Sequence, residues 1–268
     1  MRTVGSTPIG EECVVTPIHD FGICIRQWDW SETSQVVCVL AREHGLIRAV
    51  AKGSKRPKSR FSGGVEVPTR GEFQARVKQT EGLSLLTAWD LVETFPKARS
   101  TLSAFHASLA LVDAAYHAME HSDPHPAVFD ELLASLRVVG DTAQTDAAAV
   151  LWFLWCLLSE TGHRPDLEAD MRTGEALGPE TSWAFAPKLG GLVMGAGDSA
   201  TGLVWRVRGA TVRLLRGMPS TFDGTGFEKW AGGKESAETQ GRAMRLLAEY
   251  FGEVFHAEAA GLRAFVER

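Results

Sequence analysis

Seven cationic side chains, Arg42, Arg48, Lys52, Lys55, Arg56, Lys58 and Arg60, stand between Arg42 and Gly64 against a single acid, Glu43, a local charge of +6. The whole chain carries −5, so the run is a concentrated positive patch on an acidic molecule. Its chemistry is electrostatic: ammonium and guanidinium groups neutralise phosphates and release their condensed counterions. The first half, with Leu46, Ile47, Ala49 and Val50 after a turn at His44-Gly45, predicts a strand. The second half holds Gly53, Pro57, Gly63 and Gly64, with Phe61 as its one large apolar side chain, and predicts a mobile loop that presents cations. A lysine-rich loop that merely holds solvent has the same composition.

Flat side chains beside a positive groove would add a second kind of chemistry, since bases of single-stranded nucleic acid stack on them. Trp28 and Trp30 lie in a stretch expected to connect strands, and Phe61 lies inside the basic run. A turn tryptophan serves equally well as a lid on a core.

Catalytic patterns are thin. There is no Walker A loop, no G-x-S-x-G elbow and no H-E-x-x-H helix. His117 and His121 are spaced i, i+4, but no third ligand accompanies them, and surface histidines are the simpler reading. Cys13, Cys24, Cys38 and Cys156 are scattered without a close pair and read as buried, reduced thiols of a cytoplasmic protein. No signal peptide is legible, and the longest apolar stretch, Ala147 to Leu158, is too short to span a bilayer. Neither a catalytic residue, nor a cofactor, nor a metal site is expected.

The elements that must carry the cations change character once along the chain. Short, β-like periodicity predicts strands at Thr16–Arg26, Gln35–Ala41, Leu46–Ala51, Gly71–Val77 and Leu83–Leu91, with turns at Trp28–Ser31, His44-Gly45 and Glu81-Gly82. Five short strands suggest a small barrel, since an open sheet of that size would leave exposed edges. That count fits an OB-fold and equally an SH3-like barrel. After Pro96 the pattern is helical. Ala98–Glu120 carries Leu102, Phe105, Leu109, Val112 and Tyr116 as an inward stripe; further helices are predicted over Ala127–Val139, Thr145–Thr161, Glu235–Glu253 and Glu258–Val266. The third is apolar on most faces and reads as the centre of a bundle. Residues 163–215 are rich in Gly and Pro, with short strands at Trp183–Ala186 and Gly191–Met194, and read as an irregular insertion. The expected division is therefore 1–94 and 95–268. The first part has a net charge of +1 and the second −6, which suits nucleic acid on one face and another partner on the other.

The stretch EHGLIRAVAKGSKRPKSRFSGG resembles the N-terminal pattern of the RecO family of bacterial DNA repair proteins: REHG, a strand ending in AKG, and a basic loop closing in SRFGG. WSETSQVVCVLA resembles the strand before it, Leu91 to Pro96 is similar to the family's LxESFP junction, and GRAMRLLAEYF falls in the last helices. The likeness covers nearly the whole chain. It is strongest over residues 34–64 and weaker after 120.

It implies an α+β, multi-domain protein: a five-stranded OB-fold barrel, then a helical domain with a small zinc-finger-like insertion. It further implies a nucleoid-associated DNA-binding mediator that binds single- and double-stranded DNA, anneals complementary strands, and acts with RecR and the C-terminal tail of single-strand-binding protein to load recombinase. One departure is plain. Where zinc-binding members place their two C-x-x-C pairs, this chain has Asp170 and Thr173, then Met194 and Gly197. Thiolate zinc chemistry goes with them. The insertion must then be held by packing, through Trp183, Phe185, Leu192 and Trp205.

Lys52, Lys55, Arg56, Lys58 and Arg60 are the first candidates for phosphate contact. Arg26, Arg48 and Arg76 on neighbouring strands are the second, and Arg137, Arg206 and Arg208 are isolated cations for an acidic partner. Competing readings are an OB-fold RNA-binding protein and a scaffold whose basic loop grips an acidic protein.

Overall fold

Alternating apolar residues close the N-terminal part into a five-stranded barrel. The computed structural model describes residues 15–61, 64–78, 82–178, 182–195, 202–231 and 236–267. Cys13, Glu81, Gly197 and Glu235, as well as Ser62 and Gly63 of the basic run, lie outside them. The barrel strands are β1 (Val15–Asp29), β2 (Gln35–Ala41), β3 (Gly45–Ala51), β4 (Thr69–Lys78) and β5 (Ser84–Glu93). Their order around the barrel is β1-β2-β3-β5-β4, closed by β1 against β4. β3 and β5 pair in parallel and every other pair is antiparallel. This is the OB-fold arrangement, which strand count alone did not separate from an SH3-like barrel. β1 is longer than expected because it serves two neighbours, β4 along Val15–Cys24 and β2 along Gly22–Asp29, with a register shift between Cys24 and Arg26.

The barrel interior is filled from alternate positions, with Phe73 stacked on Trp89 at 6.4 Å between ring centroids. Gly71 leaves the space that the indole occupies, since a Cβ there would lie 2.5 Å from a ring carbon of Trp89. Phe61 is also in this interior, 4 % exposed. It is therefore a plug at the end of the basic loop, and is not available to stack on bases.

β2 is buried at every position. Val37, Val39 and Ala41 point into the barrel. Cys38 and Leu40 share a second core with Ile23, Ile25, Leu46 and the helices. Those helices are α1 (Leu102–Ala118), α2 (Pro126–Val138), α3 (Ala143–Glu160), α4 (Gly209–Arg216), α5 (Gly226–Ala231), α6 (Ala237–Phe255) and α7 (Ala260–Val266). Thr101, Thr142 and Ser236 cap α1, α3 and α6, each accepting a backbone N–H with its side-chain oxygen. Twelve residues of α3 are buried, as expected of a central helix. None of the described helices is long and apolar enough to cross a membrane.

The stripe expected on α1 is only in part its buried face: Val112 is buried and Leu109 and Tyr116 are half-buried. Leu102 and Phe105 are exposed, whereas Ala104, Ala107, Ala110, Ala114 and Ala115 are buried. Small side chains let α1 lie close to its neighbours, and Gly261 at the start of α7 donates its N–H to Asp113 of α1 at 2.8 Å. The insertion is more regular than its composition suggested. β6 (Ser182–Ala186), β7 (Gly191–Val193) and β8 (Trp205–Arg208) form a sheet of order β7-β6-β8 that leads directly into α4. Trp183, Phe185 and Leu192 are buried; Trp205 stacks on Phe185 at 5.8 Å, and Tyr250 of α6 meets Phe185 edge-on.

Barrel and helices meet at the turn between β2 and β3. Arg42 donates two hydrogen bonds to the Asp130 carboxylate, at 3.0 and 2.8 Å. The Leu46 carbonyl accepts the Ser122 N–H and lies 2.6 Å from Nδ1 of His121. Asp20 braces the turn from the barrel side, accepting the Glu43 N–H at 2.9 Å and lying 2.8 Å from Nδ1 of His44. Gly45 has φ +69°, and a Cβ on it would sit 2.3 Å from the Asp123 carbonyl oxygen. Gly45→Ala is therefore expected to cost more than about 2 kcal/mol. Gly241→Ala, at an open position inside α6, should instead gain roughly 0.5–1 kcal/mol. Urea unfolding of the two variants checks the opposite signs.

Candidate nucleic-acid interface

The basic loop leaves β3 at Lys52 and is anchored along its length. Gly53 donates its N–H to the Ser34 hydroxyl at 3.0 Å. Ser54, fully buried, donates to Oε1 of Gln35 at 2.8 Å, and the same oxygen accepts the Val65 N–H at 3.1 Å. Ser59 donates back to the Ser54 carbonyl, and the Arg60 carbonyl accepts the Trp89 N–H of β5. One buried amide, Gln35, thus ties both ends of the loop to β2. The expectation of a mobile loop gives way to a series of turns bonded to the barrel.

On this frame Lys52, Arg56, Lys58 and Arg60 are exposed, and no ion pair is found for them among the described residues. The other three members of the run are engaged. Lys55 pairs with Asp29 at the end of β1. Arg42 is taken up by Asp130 and Glu43, so it belongs to the contact between barrel and helices and not to the patch. Arg48 lies with its guanidinium 5.5 Å from the centre of the Tyr116 ring and donates to that hydroxyl at 3.4 Å.

The second-rank candidates fall on the outer face of the barrel. Strand register places Arg26, Cys38 and Arg48 in one row, and Trp28, Val36, Val50, Leu85 and Arg76 in the next. Arg76 is exposed, Val50 and Leu85 are half-buried, and Trp28 closes the row. Trp28 is therefore a strand residue of β1, where a loop position was expected. It is 43 % exposed and Trp30 64 %. Arg26 points to α1, 3.7 Å from Asp113 and 4.4 Å from the centre of Tyr116. Tyr116 and Asp113, far away along the chain, are the residues of this face that sequence reasoning missed; only tertiary packing brings them here.

The cations proposed for a partner divide in the same way. Arg137 is held by the Glu93 carboxylate at 3.1 and 2.9 Å, linking α2 to β5. Arg206 and Arg208 instead line a cleft of ≈ 380 Å³ with Arg242, Arg245, Trp205 and Leu246.

The three described thiols are buried. Burial pushes Cys38 up to about 11, raises Cys24 and Cys156 as well, and keeps all three protonated at neutral pH, where a thiol is a poor nucleophile and ligand. The places of the zinc ligands do not fit that metal. Asp170 is buried and its carboxylate already accepts the N–H groups of Met194 at 2.6 Å, Arg172 at 2.7 Å and Thr173 at 3.4 Å. The Thr173 hydroxyl accepts the Glu175 N–H, and Met194 contributes its backbone to the same carboxylate. Among the described residues no group of three or more His, Cys, Asp or Glu side chains could hold a metal ion.

A family model described as "Recombination protein O N terminal" matches residues 16–95, and one described as "Recombination protein O C terminal" matches residues 99–254. The chain is similar to proteins named DNA repair protein RecO from several bacteria. It is 29 % identical to that of Variovorax paradoxus over 199 residues, 70 % of this chain and 74 % of the relative. It is 30 % identical to that of Bacillus pumilus over 162 residues, covering 60 % and 62 %. With that of Cutibacterium acnes the identity is 30 % over 181 residues, covering 65 % and 72 %.

The Met194 amide foremost, then those of Arg172 and Thr173 and the charge of Arg172, hold the Asp170 carboxyl below its ordinary value. A carboxyl whose folded value is depressed stabilises the fold above its unfolded value, near about 4, and loses that contribution as pH falls through the lower folded one. Asp170→Asn keeps the shape but halves the acceptors, and is expected to cost about 2 kcal/mol at pH 7. The gap between variant and parent melting temperatures should close as pH is lowered below about 4. Thermal unfolding from pH 7 to 3 checks this.

Proposed function

The chain belongs to the RecO family, and on that premise we propose that it is a non-enzymatic DNA repair and recombination mediator that grips single- and double-stranded DNA by the phosphates. One observation carries the reading. Lys52, Arg56, Lys58 and Arg60 project from a turn whose backbone is bonded to the barrel, and no ion pair among the described residues engages them. Cations held in place without protein partners exchange counterions with a phosphate backbone at little ordering cost. Neutralising two strands at once also lowers their mutual repulsion, which favours annealing of complementary strands. The relatives' name, DNA repair protein, points the same way.

For single strands each phosphate contact contributes a slope of roughly −0.7 in log affinity against log salt. Replacing Arg56, Lys58 and Arg60 together by alanine should flatten that slope by about 2 and weaken binding alike across sequences. Melting should be nearly unchanged, since exposed substitutions cost within about 0.5 kcal/mol. Lys55→Ala should flatten it by less than one contact, because Asp29 already holds that ammonium. Titrations of a labelled oligonucleotide at several salt concentrations, with annealing of complementary strands followed by fluorescence, check both. A triple variant that keeps its full salt dependence sinks the proposal.

We further propose that protein partners, RecR and the acidic tail of single-strand-binding protein, dock on the helical part and not on the loop. The cleft between β8 and α6 supports this for the tail: Arg206, Arg208, Arg242 and Arg245 line it against a single acid, Glu249, together with the apolar Trp205, Val207 and Leu246. Arginine forks hold carboxylates, and the apolar lining accepts an apolar side chain. Arg206→Ala with Arg208→Ala is expected to weaken binding of the tail peptide by about tenfold or more and to leave DNA affinity unchanged. Calorimetry with the isolated peptide measures it.

A further inference from the structure

On the outer face of the barrel, where α1 crosses it, two aromatic rings and two guanidinium groups are packed into one assembly. The Arg26 guanidinium carbon is 4.4 Å from the centre of Tyr116 and 5.6 Å from that of Trp28. The two rings meet edge to face at 6.4 Å and 70°. Arg48 approaches Tyr116 at 5.5 Å. Asp113 stands 3.7 Å from Arg26 and is itself fixed by the Gly261 N–H. Trp28 nonetheless keeps 43 % of its surface exposed, and Trp30, two residues on, keeps 64 %.

A set of side chains that only clamped the helix to the barrel would bury its largest ring. We infer that Trp28, backed by the Arg26 guanidinium and by Tyr116, forms a stacking shelf for unpaired nucleobases. The inference rests on the DNA-binding reading above and adds to it the part of the ligand that phosphate contacts leave unread. Every base has a π face, so such a shelf binds without sequence preference, and guanidinium planes stack on bases as aromatic rings do. The assembly is already ordered: aromatic side chains have two torsions each and Arg26 is fixed by Asp113, so little freedom is lost on binding. Its place fits one continuous strand. Trp30 donates its N–H to the Ser34 carbonyl, and the Ser34 hydroxyl in turn accepts from Gly53 of the basic loop. Loop cations and shelf therefore adjoin, the first for backbone and the second for bases. Bases within a duplex have both faces covered, so the shelf selects single strands.

The test compares a labelled deoxythymidine oligonucleotide with an abasic one of equal length, both titrated by fluorescence anisotropy against the full chain. The parent protein is expected to bind the thymidine strand roughly five- to a hundredfold more tightly, the range that one stacked base provides. Trp28→Leu and Tyr116→Leu should each bring thymidine affinity down towards the abasic value while leaving abasic affinity and the salt slope unchanged. Tyr116→Phe, which keeps the ring, should behave as the parent. A variant that unfolds loses both strands together, and Trp28→Met, which keeps bulk without a ring, then takes its place. If the parent does not distinguish the two strands, or a variant melting like the parent loses both equally, the shelf is wrong. Failure of the DNA reading looks different: neither strand binds at low salt.

Discussion

β2 is buried on both faces, and most of the molecule follows from that constraint. A barrel strand ordinarily hides one face and wets the other. Here Val37, Val39 and Ala41 complete the interior while Cys38 and Leu40 need a second cover. Ile23, Ile25 and Leu46 share the need, and each large side chain buried this way contributes about 1.5–3 kcal/mol. α1 answers with an alanine face, which brings its backbone close enough for Asp113 and Tyr116 to reach the sheet. Gly45, set against the Asp123 backbone, and the Arg42–Asp130 fork then fix where the barrel sits. The barrel is therefore one half of a shared core, and the cation-bearing loop hangs on a frame held from two sides.

Buried carboxylates do for the helical part what metals do elsewhere. Glu131 accepts the Trp152 indole N–H at 2.7 Å and the Gly224 N–H at 2.8 Å. Asp146 accepts the Ser103 hydroxyl and the Gly140 N–H. Asp170 gathers three amides from the two turns where other family members are expected to place thiolates. A charge taken out of water is tolerable only with its lone pairs filled, so each of these acids dictates the path of several backbone groups at once. Zinc and carboxylate both cross-link two turns through one point. They differ in what undoes them: chelation for one and acid for the other.

The strands were legible because alternation survives local reading; Gln35–Ala41 agrees at both ends and the other four within about three residues. The register that makes the barrel an OB-fold was not legible, because parallel closure of β3 on β5 joins segments more than thirty residues apart. α1 was legible only in part. Its buried face combines alanines with Leu111 and Val112, and Leu102 and Phe105, at the first turns, stay outward. β8 and α4, at four and eight residues, are too short to stand out in a Gly-rich stretch. Among the site residues the loop was visible as composition, whereas the partners that divide it, Asp29, Asp130 and Tyr116, come from other elements.

That division explains how an acidic protein keeps a basic working face. Arg42, Arg48 and Lys55 are paired or stacked, and their role is geometric: one docks the barrel, one leans on Tyr116, one pins the loop to β1. Lys52, Arg56, Lys58 and Arg60 lie on the same few turns, and their charge faces solvent. Screening makes the distinction matter. At physiological salt an acid more than about 8 Å from the loop through solvent barely weakens the field there. Acids in contact, such as Asp29, cancel a charge outright. Net charge thus says little about what the surface binds, and the count of cations without a neighbouring carboxylate says much more.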